Sequence, residues 1–452
     1  MSDQRKKLLR LVERITYGPT RQFVALAESL GYEAFLDWQL DPEGIDDGGL
    51  EQALLEYLPT LSMDAVELAD FVFEQQNFGA VQRDLTLATM IRQIYSPRQL
   101  FERMVELWTD HFNVPMNSVV TSYFKTLEDR SVIRPLALGG FGPLLEASAK
   151  SPAMLFYLDN FSSTAAGPNE NYARELLELH TLGVDGGYAE LDIKETARVF
   201  TGWTIEQPAA FAFEPSMHDD GTKQVLGQTI PPSGVSEGEG LLARLAGMPA
   251  TARHLAIKMA RRFVADLPDE GVIDAVAQVF TDSDGDIRST LKALLMHPTV
   301  VDTMPLKLKR PNEFSAAILR GLEADLEQDV LTRHYDALAA GGHLPFSWPA
   351  PNGFPDERTY WQSSNGLLMR FNQSGRVFAD LFSSSSVLLE ASRLSDMDAQ
   401  IELLESALRP QGLNRRERIM LIRYALSFDL PPRQRAEALA AWIAGSPYGQ
   451  WR

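Results

Sequence analysis

Cysteine is absent from all 452 residues. That removes disulfides, thiolate nucleophiles, zinc–thiolate centres and cysteine-ligated iron–sulfur clusters in one step. It leaves the compartment open, because a chain without thiols tolerates either redox environment. Long apolar runs are missing too. No stretch of about 18 apolar residues occurs, so no membrane-spanning helix is expected. The opening "MSDQRKKLLRLVERITYG" begins basic, but Arg10 interrupts Leu8, Leu9, Leu11 and Val12, and Glu13 and Arg14 follow. It reads as an amphipathic helix and not as a secretion signal, and the expected location is the cytoplasm. There is no GxxxxGK[ST] phosphate loop, no GxGxxG after a strand and no HExxH. Those absences argue against P-loop hydrolases, Rossmann oxidoreductases and classical zinc proteases.

Positive charge is scarce. Lys and Arg number 42 against 61 Asp and Glu, giving a formal net charge of -19. The basic runs are short: "NRRER" and "RQRAE" sit within helical patterns. Such a field repels nucleic acid and anionic membrane surfaces, so neither is an expected partner.

What is present is ordinary for a globular chain. With 45% hydrophobic and 23% charged residues it can bury a sizeable core. Its length suggests two packed subdomains or one large domain with appendages. Helical periodicity dominates: "SPRQLFERMVELWTDHFNV" places Leu100, Met104, Leu107, His111 and Phe112 largely at spacings of three and four. The expected fold is mainly α, a large multi-helix domain over residues 1–375 with a β-hairpin inserted at about 203–230. A C-terminal helical segment, 376–452, packs on it, or the two form one continuous domain. In the insertion, "GWTIEQPAAFAFEPSMHDDGTKQVLGQTI", Pro208 and Pro215 break short β-like runs, and Asp220-Gly221 reads as the hairpin turn. "GGHLPFSWPAPNGFPDERTYW", Gly341 to Trp361, holds four prolines, three glycines and five aromatics. It reads as an ordered loop that covers something, since aromatic rings are costly to leave in water.

The most polar helical stretch is "PNENYARELLELHTLGVDGGY", Pro168 to Tyr188. Asn169 can cap a helix starting at Glu170, and Gly183 suits its end. Tyr172, Leu176 and Leu179 share one face. Asn171, Arg174 and Glu178 gather opposite, with Glu175 on the edge. Glu170–Arg174 and Arg174–Glu178 are four apart and can pair. The face is either a solvated surface laced by ion pairs or one wall of a site. His180 falls among the leucines and reads as a core histidine. Further on, Asp192-x-x-Glu195 resembles a capping box with the aspartate as cap.

Other groups are weighed the same way. His218-Asp219 with Lys223 could serve acid–base chemistry or contribute metal ligands, whereas turn chemistry explains Asp220 beside Gly221. His111 in "WTDHFNV" reads as structural, and its neighbour Asp110 does not face it on a helix. Trp348 and Trp361, with Phe346, Phe354 and Tyr360, form either a sugar-stacking platform or a core beneath the proline-rich loop. "DSDGD" fails as a calcium loop, because positions six and twelve are Ile287 and Ala293; Asp286 instead caps the following helix. Gly234-x-Ser236-x-Gly238 formally matches a nucleophile elbow, but Pro231-Pro232 stands where a buried strand is required.

"NENYARELLELHTLGVDGGY" followed by "ETARVFTGW" resembles the signature of a bacterial family catalogued as domain of unknown function 1800. The resemblance spans nearly the whole chain, in order: "ERITYGPT", "LWTDHFNV", "MHDDGTKQVLG", "KLKRPNEF", "PAPNGFP" and the terminal "SPYGQWR". It implies a mostly helical protein and no particular activity. It also implies a frequently exported protein beside a sulfatase- or phosphatase-like partner, although no export signal is seen here.

Two functions are expected as alternatives. In the first the chain is a hydrolase. Glu178 or Glu175 acts as acid, base or metal ligand, and Arg174 holds an anionic or carbohydrate substrate by a forked contact. The His218–Asp219 hairpin folds over that face. Asn171, Glu175, Lys223, Trp203 and Trp348 complete the substrate site. A divalent metal suits its oxygen and imidazole ligands. In the second the chain is a non-catalytic helical scaffold that presents a surface to a partner.

Overall fold

Apolar residues at spacings of three and four occur along nearly the whole chain, and helices form there. The structure, a computed structural model, describes residues 2–325, 327–447 and 449–452. Among the described residues the only sheets are two antiparallel pairs of short strands. The fold is mainly α, and no helix among the described residues is long and apolar enough to cross a membrane.

Helix α1 (Asp3–Ile15) is capped by Ser2 and buries Leu8, Leu9, Leu11, Val12 and Ile15. Its Arg14 is also buried and donates to the carbonyls of Phe263, Val264, Pro305 and Arg452. One side chain thus satisfies backbone acceptors from distant parts of the chain, which justifies its burial. Helices α2 (Phe78–Tyr95) and α3 (Gln99–His111) follow. Helix α4 (Val119–Glu128) runs into a wide turn, Asp129–Ile133, with hydrogen bonds of the i→i+5 kind.

The signature stretch folds as α5 (Glu170–Glu175), capped by Asn169, whose Oδ1 accepts the Asn171 N–H at 2.9 Å. A second wide turn, Leu176–His180, follows and buries Leu176, Leu177 and His180 together. Gly183, at φ 85°, lets the chain reverse. Helix α6 (Glu190–Val199) begins two residues before the expected cap. Asp192 is its third residue, and its carboxylate accepts the Ala189 N–H. Asp192 also accepts from Leu226 N, which explains why an acid belongs inside the first turn.

The expected single hairpin is two. β1 (Trp203–Glu206) pairs with β2 (Ala210–Phe213), and β3 (Lys223–Val225) pairs with β4 (Gln228–Ile230). Asp220-Gly221 is not the turn of either. The β3–β4 turn is Leu226-Gly227, both at positive φ, the geometry a two-residue hairpin requires. Asp220-Gly221 precedes β3, where Asp219 accepts the Gly221 N–H.

The later helices include α7 (Val235–Ala246), α8 (Pro249–Phe263) and α9 (Pro311–Gly321), and nearer the C-terminus α10 (Met397–Leu408), α11 (Arg415–Leu426) and α12 (Pro432–Gly445), with other helices between them. Most buried apolar side chains between Leu8 and Met304 form one continuous core. Most of those from Phe314 to Ala444 form a second, joined by Tyr17 and Ile94, and two small clusters stand beside them, one with Leu85, Leu338 and Phe346 and one with Leu308, Phe354 and Trp361.

Candidate active site

The groups singled out by sequence fall into three separate places. Arg174 lies at the surface, paired with Glu190 at 2.7 Å and with Glu170 and Glu178 at 3.5 Å each. Its side chain is 36% exposed, so each pair contributes little. Asn171 is exposed. Glu175 is half-buried, and burial together with Glu178 raises its carboxyl against the pull of Arg174.

His218, Asp219 and Lys223 form a buried fastening of the second hairpin. His218 Nδ1 lies 2.8 Å from the Thr201 carbonyl, and Nε2 lies 3.1 Å from Glu237 Oε1. Lys223, fully buried, donates to Glu237 Oε2 at 2.5 Å and to the Asp219 carbonyl. Glu237 also accepts the Ser233 and Gly234 N–H groups. Burial works against ionisation of Glu237, but Lys223, Ser233 N–H and His218 hold it below the usual range. Asp219 is gripped on both oxygens by Arg198, which pairs in turn with Glu195. Sequence missed Glu237, although its place at the third position of a helix after a Pro-Gly loop is a capping signal.

Trp203 is wholly buried between Phe200 and Phe211, each 4.9 Å away ring to ring. A Cβ on Gly238 would overlap the Trp203 ring, so that glycine serves packing. Trp348 belongs to a different group, 5.2 Å from Phe354 and 5.5 Å from Tyr360, with Nε1 donating to Asn352. None of the polar contacts of the Arg174 face involves His218, Asp219 or Lys223.

A denser constellation lies on α3. Glu102, Val105, Glu106, Thr109 and Asp110 recur at spacings of three and four, so they form one stripe. That stripe faces Thr89 and Gln93 of α2, Asp129 just beyond α4, and Asn312 at the start of α9. His343, Pro345, Phe346 and Phe354 of the proline-rich loop close it above. The enclosed space is about 30 Å³, room for one or two water molecules. The loop is clamped there: Asn113 donates to the carbonyls of Trp348 and Ala350 at 2.9 and 2.7 Å. Gly353, at φ 69°, lies so close that a Cβ would overlap the Asp110 carbonyl.

Charge is concentrated beneath this cleft. Glu106 accepts from Arg310 at 2.5 Å, Asn312 at 2.7 Å and Arg262 at 3.0 Å. Asp110 accepts from Arg262 at 2.5 Å, Arg310 at 3.3 Å and the Phe354 N–H at 3.4 Å. Glu313 receives Arg103 at 2.5 Å, Arg452 at 2.8 Å and Arg310 at 3.2 Å. Asp356 pairs with Arg262 at 2.5 Å. Burial alone would raise both α3 carboxyls. Arg310, Arg262 and Arg103 nonetheless hold Glu106 down to about 2, while burial leaves Asp110 raised. Two acids one turn apart therefore move in opposite directions.

Three acceptors on the cavity have no hydrogen-bond or ion-pair partner among the described residues. These are the buried amide oxygens Gln93 Oε1 and Asn312 Oδ1 and the Asp129 carboxylate, which has the charge of Arg134 in its field. His343 Nδ1 accepts the Asn312 N–H, and burial lowers this imidazole to about 3, so it is neutral.

Histidines also pin the end of the signature stretch. His111 Nε2 donates to the His180 carbonyl at 3.1 Å, and His254 Nε2 to that of Leu179 at 3.0 Å. Burial, with Lys258 nearby, lowers His180 to about 3 and His254 to about 4. Among the described residues no three His, Asp or Glu side chains converge so as to hold a metal ion.

Asp110, Asn312 and Phe354 each lie in a motif quoted above, and Glu106 stands four residues before Asp110. Asp129 had no signal, because an irregular turn leaves no periodic pattern. The sequence profile of the family described as "Protein of unknown function (DUF1800)" matches residues 10–451. No curated protein and no solved structure matches the chain.

Proposed function

The chain belongs to the DUF1800 family, and for its acid-lined cleft we propose hydrolysis by a pair of carboxyl groups, Asp129 and Asp110. The observation that carries this reading is that Asp129 is buried on a water-sized cavity with no hydrogen bond among the described residues and only the field of Arg134 to offset its charge, while Asp110 on the same cavity has its carboxyl raised by burial. General acid–base hydrolysis needs two carboxyls whose environments push their proton affinities apart. Asp129 takes a proton from a cavity water, whose oxygen bonds to the electrophilic carbon. The bond to the leaving oxygen breaks, and Asp110 gives that oxygen its proton. Glu102 is paired with Arg134 and Glu106 with Arg310 and Arg262, so the wall carboxylates are compensated and serve as hydrogen-bond acceptors; they suit a neutral, hydroxyl-bearing substrate of the carbohydrate class. Trp348 and Tyr360, at the outer side of the roof, offer stacking faces. The cavity admits only water as it stands, so reaction on a sugar requires the roof at Pro345 and Phe346 to open. In this reading the Arg174–Glu178 face and the His218–Lys223 fastening hold the frame, and a divalent metal has no role.

The test is a panel of chromogenic glycosides against the parent, Asp129→Asn, Asp110→Asn, Glu178→Gln and His218→Ala, with elemental analysis of each protein. Turnover that is lost in the two aspartate variants and kept in Glu178→Gln supports the cleft. Turnover lost in Glu178→Gln with stoichiometric metal moves the chemistry to the signature face. No turnover in any protein returns the chain to a scaffold role.

A further inference from the structure

Helix α11 has an uncovered outer face. Its inner side is accounted for: Glu417, Leu421 and Ala425 are buried, and Arg418 pairs with Glu402 and Glu405 of α10. The outer side carries large apolar groups in water: Met420 is 51% exposed, Leu426 70% and, just past the helix end, Phe428 50%. Ile419 and Tyr424 are exposed beside them. Exposed apolar residues are unremarkable singly, but five on one helix and its exit form a contiguous patch of the kind that marks an interaction site.

The same face carries Arg415, Arg416 and Arg423, whose guanidinium groups have no ion-pair or hydrogen-bond partner among the described residues. Arg415, Arg416, Ile419, Met420 and Arg423 lie together along one open side of this single helix. In a chain of net charge -19, three unpaired arginines around an apolar strip are a local reversal of sign. We propose that the outer face of α11 docks an acidic amphipathic helix of another protein, its apolar stripe on Ile419 and Met420 and its carboxylates on Arg415, Arg416 and Arg423. The spacing fits. Exposed positions 415, 416, 419, 420 and 423 repeat at three and four, so they present one stripe against which a partner helix can pack side by side. An anionic membrane would face the repulsion of the whole chain, and a second copy would set arginine against arginine across a two-fold axis.

The probe is a fluorescent synthetic peptide with leucines at helical spacing flanked by glutamates, titrated into the full chain and followed by anisotropy. Saturable binding that weakens with salt is expected. The surface variants Arg415→Glu with Arg423→Glu, and separately Ile419→Glu with Met420→Glu, should each weaken it by about tenfold or more. Circular dichroism of both variants should match the parent. The proposal is overturned if the peptide does not bind, or if both variants bind it as the parent does. It is also overturned if phosphatidylserine vesicles are bound and the peptide is not, or if sedimentation shows the face closed in a dimer of the chain.

Discussion

Glu313→Gln is the perturbation that most directly examines the buried charge network. Glu313 Oε1 receives three guanidinium groups, from Arg103, Arg310 and Arg452, and Oε2 accepts the Arg310 N–H. All four side chains are 3% exposed or less. Glutamine keeps the shape and one acceptor, but removes the charge and turns an NH₂ toward guanidinium donors. Taking away one partner of a buried pair costs about 3–5 kcal/mol, because the remaining charge has lost its compensation without regaining water. For a chain of this size that is a fall of roughly 3–5 °C in Tm. The pH dependence has a defined sign. Burial works against ionisation of Glu313, yet the three arginines hold its carboxyl well below the usual 4.5. A depressed carboxyl contributes stability above the unfolded-state value and loses it as pH falls through the folded value. The deficit of Glu313→Gln is therefore full at pH 6–7 and shrinks below about pH 4.5. Urea midpoints of parent and variant at several pH values measure this. A deficit under about 1 kcal/mol at pH 7, or one that grows on acidification, would refute the reasoning.

Other substitutions probe separate parts of the structure. Gly353→Ala imposes a side chain at positive φ and an overlap with the Asp110 carbonyl, together costing about 2–5 kcal/mol by urea denaturation, and the released loop should become sensitive to limited proteolysis. Arg174→Ala should cost less than about 1 kcal/mol, since its pairs are solvated, and a larger loss would mean the signature face is more than a wetted surface. Lys223→Met strands the buried Glu237 carboxylate and should cost about 3–5 kcal/mol, while Lys223→Met with Glu237→Gln, which removes the stranded charge and keeps an acceptor for the Ser233 and Gly234 N–H groups, should recover much of it; a double variant no better than the single denies the pairing. His180, His334 and His343 are lowered to about 3 and His254 to about 4, all chiefly by burial. These imidazoles stay neutral when folded and charge when unfolded, so stability should fall from about pH 6.5 downward, and His334→Leu should flatten that limb in urea titrations.

What the sequence determined by itself was local. Apolar spacing marks helices because the period of 3.6 residues is imposed by the backbone. Caps are equally local: Asn169 and Asp286 each accept an N–H two or three residues on, and both were legible. Gly183 was legible as a stop because few other residues tolerate its φ. Two local readings missed for a physical reason. Asp220-Gly221 has the composition of a hairpin turn, but strands flank Leu226-Gly227 instead, and only strand pairing decides which turn closes a hairpin. Asp192 looked like a cap and is the third residue of its helix, held there by the β3–β4 hairpin that packs on it.

Tertiary structure alone decided which polar groups meet. Arg174 and His218 looked comparable as charged candidates; one is solvated and the other is closed off by Glu237, nineteen residues further on. Asp110 is joined to Arg310 across 200 positions and to Phe354 across 244. No spacing rule reaches that far, because chain direction is lost at each intervening turn and recovered only by packing. The motifs that carry these residues were visible as separate words in the sequence. That they share one cleft follows from the burial of α3 beneath the loop, where desolvation makes each charge seek compensation; Asp129 faces the cavity without a hydrogen bond among the described residues and has only the field of Arg134.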